Sequence, residues 1–146
     1  MDMNFGPAER SRENRGPCAA DSEHQGMIPF LEIYRMIQAI YRPGFSYGSE
    51  KEVGDILERG LIDMRIAFER EYQLAARDRI DFFLPDSGIG LELKIGASQM
   101  PVLRQLIRYA ESPEIKGLIV VTIRPIKLAA QILDKPTINL ALWRYL

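Results

Sequence analysis

In the stretch RIDFFLPDSGIGLELK, residues 79–94, three ionisable side chains interrupt two runs that otherwise read as buried strand: Asp81, Glu92 and Lys94. The PDSG segment has strong turn chemistry and predicts a hairpin of residues 79–84 and 89–95. Folding it symmetrically about that turn pairs Leu84 with Ile89, Phe83 with Gly90, Phe82 with Leu91, and Asp81 with Glu92. Side chains alternate along a strand, so Ile89, Leu91, Leu93 and Ile95 share one face. Gly90, Glu92 and Lys94 take the other, where Asp81 joins them and small Gly90 leaves room. Facing Cβ atoms in such a ladder lie about 4.5–5.5 Å apart, and like charges directly opposite are destabilising. Two facing carboxylates therefore call for a cation. Lys94 supplies one positive charge, whereas a divalent ion supplies two, and magnesium prefers carboxylate oxygens. The plainer alternative is a solvated face on which Lys94 makes an ordinary cross-strand ion pair.

The elements around the hairpin decide what else can reach it. Residues 1–26 are polar, Gly/Pro-punctuated and aperiodic, and read as a flexible tail holding the only cysteine, Cys18, and the only histidine, His24. The remaining 27–146 read as one domain. From Pro29, suited to a first helical turn, Phe30, Ile33, Tyr34, Ile37, Ile40 and Tyr41 form one helical stripe that ends at RPG, residues 42–44. Ser49 and Glu52 make an S-x-x-E capping box, followed by the buried stripe Val53, Leu57, Leu61. Glu50 lies on that stripe one turn earlier and could bring a third carboxylate to the hairpin. Glu52 points elsewhere and is already the capping residue. Glu50 also has a simpler explanation, since acids interact favourably with a helix N-terminus.

Residues 66–75 read as a strand and 100–111 as a helix whose core stripe is Val102, Leu103, Leu106, Ile107 and Ala110. Residues 116–123 form a nearly continuous apolar run, as in a strand covered on both faces. A short helix, KLAAQIL, and a final strand, TINLALWRYL, complete an α-α-β-β-β-α-β-α-β order, which implies an α/β fold with a mixed sheet flanked by helices. On the 100–111 helix, Gln105 and Tyr109 share a flank four residues apart, with Arg104 and Arg108 beside them. They read either as a core-edge tyrosine with solvated arginines or as a phosphate-gripping helix. Arg77, Arg79, Arg124 and Lys127 add to a local positive cluster.

Composition narrows the classes. The chain has 146 residues, 47% of them hydrophobic, which suits one domain with a sizeable core. A formal net charge of -1 gives no global field for nucleic acid, so any such partner must meet a local patch. One cysteine fits a reducing cytoplasm, and one cysteine with one histidine makes a zinc site a poor fit. No apolar run is long enough for a membrane span, and no apolar signal core opens the chain.

Together, Glu50, Asp81, Glu92, Lys94 and the Q-x-x-x-Y segment Gln105–Tyr109 resemble the PD-(D/E)XK nuclease superfamily, the latter motif being similar to that of the RecB-type exonuclease branch. The resemblance runs from Ser49 to the C-terminus. Ile80 stands where the family name has proline, and no recognisable specificity domain accompanies the core. The resemblance implies a restriction-endonuclease-like core in α-β-β-β-α-β order and metal-assisted hydrolysis of DNA phosphodiesters. By that resemblance, Asp81, Glu92 and the Leu93 carbonyl bind Mg2+ or Mn2+, and Glu50 completes the metal's surroundings. Lys94 then orients or helps deprotonate the attacking water and stabilises transition-state charge. Gln105, Tyr109, Arg104, Arg108, Arg77 and Arg79 position the nucleic acid. Phosphate contacts do not read sequence, so structure- or end-dependent cutting is expected. The apolar, aromatic LALWRYL terminus leaves a homodimer open.

Overall fold

The computed structural model describes residues 20–41, 47–96 and 98–145, with side chains from Phe30 to Trp143. The protein is a mixed α/β structure in which helices flank one six-stranded sheet of order β1-β2-β3-β4-β6-β5. In chain order the elements are α1 (Ala20–Ile40), α2 (Glu50–Asp63), β1 (Glu69–Ala75), β2 (Asp78–Leu84) and β3 (Ile89–Lys94). These are followed by α3 (Gln99–Ala110), β4 (Gly117–Thr122), β5 (Gln131–Ile132) and β6 (Lys135–Ala141), and a 3-10 turn covers Leu142–Tyr145. Strands β1, β2 and β3 form an antiparallel meander, whereas β3, β4 and β6 run parallel. The connection from β3 through α3 to β4 is therefore a crossover of the kind parallel strands require.

Two apolar clusters sandwich the sheet. On one face Phe82, Leu84, Leu91, Leu93, Ile119 and Val121 pack with Phe30 and Ile37 of α1 and with Val53, Leu57 and Leu61 of α2. On the other, Ile80, Phe83, Leu118 and Val120 pack with Val102, Leu106, Tyr109 and Ala110 of α3. Strand β4 is buried along its whole length, as its unbroken apolar run requires. Helix α2 approaches the sheet closely at Gly54, where a Cβ would lie 2.9 Å from an Arg70 guanidinium nitrogen and 3.2 Å from Leu93 Cδ1. That approach brings the start of α2 beside the end of β3.

Three expectations change. Helix α1 begins at Ala20, inside the segment expected as tail, so Pro29 lies within the helix rather than in its first turn. Ala, Glu and Gln in residues 20–25 are adequate helix formers, and a reading based on an apolar stripe misses them; residues 1–19 lie outside the described residues. The expected helix at KLAAQIL is irregular chain that leads into strand β5 and a β5–β6 hairpin. Leu133 and Asp134 both have positive φ, at 47° and 64°, the left-handed pair a two-residue hairpin turn needs. On α3, Tyr109 takes the core position expected of Ile107, which is 44% exposed. The stripe Val102, Leu106, Tyr109, Ala110 keeps helical spacing but is turned toward the hairpin.

Candidate active site

The β2–β3 hairpin keeps the expected register at Leu84↔Ile89, Phe83↔Gly90 and Phe82↔Leu91. The ladder stops there, and Asp81 does not pair with Glu92 as expected. Asp81 Oδ2 instead accepts the Leu93 backbone N–H at 2.7 Å, so the side chain takes the place of the next ladder bond. The cause is a local break in β2. Ile80 and Phe83 face the α3 side while Phe82 and Leu84 face α1 and α2, so strict alternation resets at Asp81. In the neighbouring strand, Glu71 falls opposite Asp81 between the pairs Arg70↔Phe82 and Tyr72↔Ile80, and its φ is +52°. A non-glycine residue in this left-handed region marks a kinked strand. The kink turns Asp81 toward β3. The space above Gly90, expected to lie open beside the acids, is filled: a Cβ there would be 2.4 Å from Ile80 Cδ1.

Glu92 is 2% exposed. Its Oε1 pairs with Lys94 Nζ at 2.9 Å, while buried Oε2 makes no well-formed hydrogen bond among the described residues, although the Asp81 N–H and the Tyr109 hydroxyl lie near enough to act on the carboxyl. Burial, then the charge of Asp81, push the Glu92 carboxyl up to about 7 despite the pull of Lys94. Burial also raises Asp81, opposed by the Leu93 N–H and Lys94 and assisted by Glu50 and Glu71. For Lys94, burial disfavours the charged form, but the hydrogen bond and charge of Glu92, with Asp81 and Glu50, outweigh it and leave the ammonium more firmly protonated than usual. The acids thus share one cation, and a buried carboxylate oxygen is left without a well-formed bond. Such groups in native structures call for an explanation, an absent ion among them.

Glu50 and Glu52 divide the N-terminus of α2 between them. Ser49 Oγ accepts the Glu52 N–H at 3.2 Å, and Glu52 Oε2 reaches back to the Gly48 N–H at 2.9 Å, so Glu52 belongs to the cap. Glu50 is exposed, yet its Oε1 accepts the Ile95 N–H at 3.1 Å just past β3. The structure therefore gathers Glu50, Asp81, Glu92, the Leu93 main chain and Lys94 at one end of β3. Glu71, not anticipated, also acts on Asp81. Its only sequence signal is its place across from Asp81, and that depends on knowing the β1–β2 register. Among the described residues, no group of three or more His, Cys, Asp or Glu side chains is arranged to hold a metal ion. The carboxylates that could hold one are Asp81 and Glu92, and magnesium commonly uses one or two carboxylates, completing its shell with water and phosphate.

The residues expected to touch nucleic acid divide into two groups. Tyr109 is fully buried; its hydroxyl donates to the Arg79 carbonyl at 2.7 Å and accepts from Gln105 Nε2. Burial, followed by the charges of Glu92 and Asp81, raises the Tyr109 hydroxyl and keeps it protonated. Tyr109 and Gln105 thus brace β2 two residues before Asp81, beneath the site. Arg79 is paired with Glu71 at 3.2 Å and Arg108 with Asp78 at 2.8 Å, so both charges are engaged. Arg77 and Arg104 are exposed and without ion pairs among the described residues. Beside Lys94, at the C-terminal ends of parallel β3 and β4, lies a cleft of about 310 Å³. Ligands in open α/β sheets favour such strand ends. Among the described residues no helix is long and apolar enough to cross a membrane. Compared with protein-family models, curated proteins and solved structures, the chain matches none.

Proposed function

We propose that this chain is a magnesium- or manganese-dependent deoxyribonuclease with a restriction-endonuclease-like core. The α2-β1-β2-β3-α3-β4 order supports the reading, since it is the α-β-β-β-α-β order of that core. One observation carries the chemistry: a carboxylate oxygen of Glu92 is buried without a well-formed hydrogen bond beside Asp81, with a single lysine serving both acids.

In this reading Asp81 and Glu92, with the Leu93 carbonyl, would hold the metal, and Glu50, bonded to the Ile95 N–H, would act on it only through water. When bound, the ion lowers the pKa of a water and polarises a phosphoryl oxygen. Every other role belongs to the chain. Asp81 is held at one oxygen by the Leu93 N–H, which leaves its second oxygen for the metal. Lys94 is held as a cation by its acidic neighbours, which suits it to orienting the attacking water and stabilising charge that builds on the phosphate. Tyr109 and Gln105 hold the strand that carries Asp81. Arg104 and Arg77, whose charges are uncommitted, are the outlying phosphate contacts, and recognition through phosphates favours DNA structure or ends over sequence.

The test is hydrolysis of labelled single-stranded, duplex and branched DNA, with and without Mg2+ or Mn2+, by wild type and Asp81→Ala. Cleavage only by wild type and only with metal is expected. A folded wild type inert on every substrate with either metal contradicts the reading and leaves a binding module as the better description.

A further inference from the structure

Of the seven basic residues around the site, the cleft beside Lys94 singles out Arg124. This cleft is walled by Lys94 and Gly96 at the end of β3, Val102 of α3, and Thr122, Arg124 and Ile126 at and beyond the end of β4. Lys94 belongs both to this cleft and, through its 2.9 Å bond to Glu92, to the acid cluster. Anything bound in the cleft therefore lies next to the reacting centre.

The wall carrying Arg124 is fixed although it is not helix or strand. Thr122 Oγ1 donates to the Arg124 carbonyl at 2.7 Å and accepts from Asn139 Nδ2 at 2.9 Å. The same Asn139 amide donates to the Val120 carbonyl, and its Oδ1 accepts the Ile126 N–H at 3.1 Å. Gln99, in the first turn of α3, grips both backbone groups of Lys127, and the Trp143 N–H closes on the Ile123 carbonyl at 2.8 Å. Five residues between 122 and 127 are thus tied by main-chain or side-chain bonds. An irregular segment this thoroughly satisfied is a rigid presenter of whatever side chain it leaves over. Arg124 and Lys127 are both exposed and without an ion pair among the described residues, and of the two only Arg124 lines the cleft. Arg79 and Arg108, by contrast, are neutralised by Glu71 and Asp78.

We propose that this cleft seats one backbone phosphate of a single nucleic-acid strand beside the scissile bond, gripped by Arg124 on the rigid Thr122–Lys127 wall. The assignment rests on the nuclease reading for the identity of the strand. A planar guanidinium offers two parallel donors to phosphate oxygens, a geometry lysine lacks. A cleft of about 310 Å³ has the volume of about ten waters, room for one sugar-phosphate unit. Arg124 is then a substrate-positioning residue, and Asn139 and Gln99 hold the wall that presents it.

The test is binding of a short single-stranded oligodeoxynucleotide, followed by anisotropy in EDTA over a series of salt concentrations. Wild type, Arg124→Ala, Arg124→Lys and Arg35→Ala are compared, the last removing an equal charge from exposed Arg35 on α1. Arg124→Ala is expected to weaken binding roughly tenfold, the loss of one charge-assisted hydrogen-bonding group. It should also flatten the salt dependence by about 0.7 in slope, the value for one phosphate contact on a single strand. Arg124→Lys should keep the slope and recover part of the affinity, and Arg35→Ala should match wild type. Wild-type affinity and slope in Arg124→Ala, an equal loss in Arg35→Ala, or no binding by wild type overturns the proposal. Because EDTA removes turnover, Arg124-dependent binding by a protein that fails to cut DNA with metal sinks only the nuclease reading. Cutting without Arg124-dependent binding sinks only this one.

Discussion

Asp81 Oδ2 is bound to the Leu93 N–H at 2.7 Å, where a regular antiparallel ladder would have a backbone carbonyl. The bond costs the hairpin one rung and gives the site a carboxylate of fixed direction. It also explains how two acids are held in one largely apolar hairpin: one leans on the main chain, the other on Lys94.

The raised carboxyl of Glu92 makes stability depend on pH in a defined direction. Its value in the folded state is about 7 against an ordinary 4.5, so the native state binds a proton that the unfolded chain has released. Unfolding free energy in EDTA should therefore fall as pH rises from about 4.5 to 7 and level off above, by up to about 3 kcal/mol. Below 4.5 both states are protonated and this contribution is flat. Urea denaturation across that range checks it. Glu92→Gln, uncharged throughout, should remove most of the slope, and a stability that rises over the same window contradicts the assignment.

Lys94 carries the complementary expectation. Replacing it with methionine leaves Glu92 buried without the one cation paired with it among the described residues, a change of the kind that costs about 3–5 kcal/mol when complete. Lys94 is partly solvent-accessible, so the loss should fall below that range, about 2–3 kcal/mol at pH 8. At pH 5, where Glu92 holds its own proton, it should be much smaller. Hydrolysis should be lost at both values. A destabilisation independent of pH would mean that the pair is not the interaction being broken.

Much of this arrangement is legible from residue order. The PDSG turn sets three rungs of the hairpin, and the capping box separates Glu52 from Glu50 by spacing alone. The stripe Val53, Leu57, Leu61 and the unbroken run at β4 also fell where helical and strand periods require. What escaped depends on tertiary context. The reset of alternation at Asp81 follows from a kink at Glu71 in the neighbouring strand, and no period in residues 79–84 encodes it. Gly90 offers space only until Ile80, displaced by that same reset, fills it. The KLAAQIL segment has helical composition, but the left-handed turn at Leu133 and Asp134 and pairing with β6 override a weak propensity. Asn139, which fixes the wall of the cleft, reads in sequence as an ordinary strand residue.

Tyr109 tests whether bracing β2 matters for chemistry. Tyr109→Phe removes the bond to the Arg79 carbonyl while keeping the ring in the core. A loss of about 1 kcal/mol in stability is expected for the lost bond to this part-buried acceptor. With Asp81 less firmly placed, kcat should fall while KM for oligonucleotide changes little. A selective rise in KM would instead indicate that the hydroxyl meets substrate, which its burial argues against.

The most direct test is calorimetric titration of Mg2+ into wild type and Glu92→Gln at pH 7 and pH 8. If the buried Oε2 of Glu92 is a metal ligand, wild type binds the ion, binds it more tightly at pH 8, and releases protons at pH 7, because the carboxyl must ionise first. Glu92→Gln should then bind more than about tenfold more weakly, with proton release abolished. Absence of binding by folded wild type at pH 8, or equal binding by Glu92→Gln, contradicts the metal site.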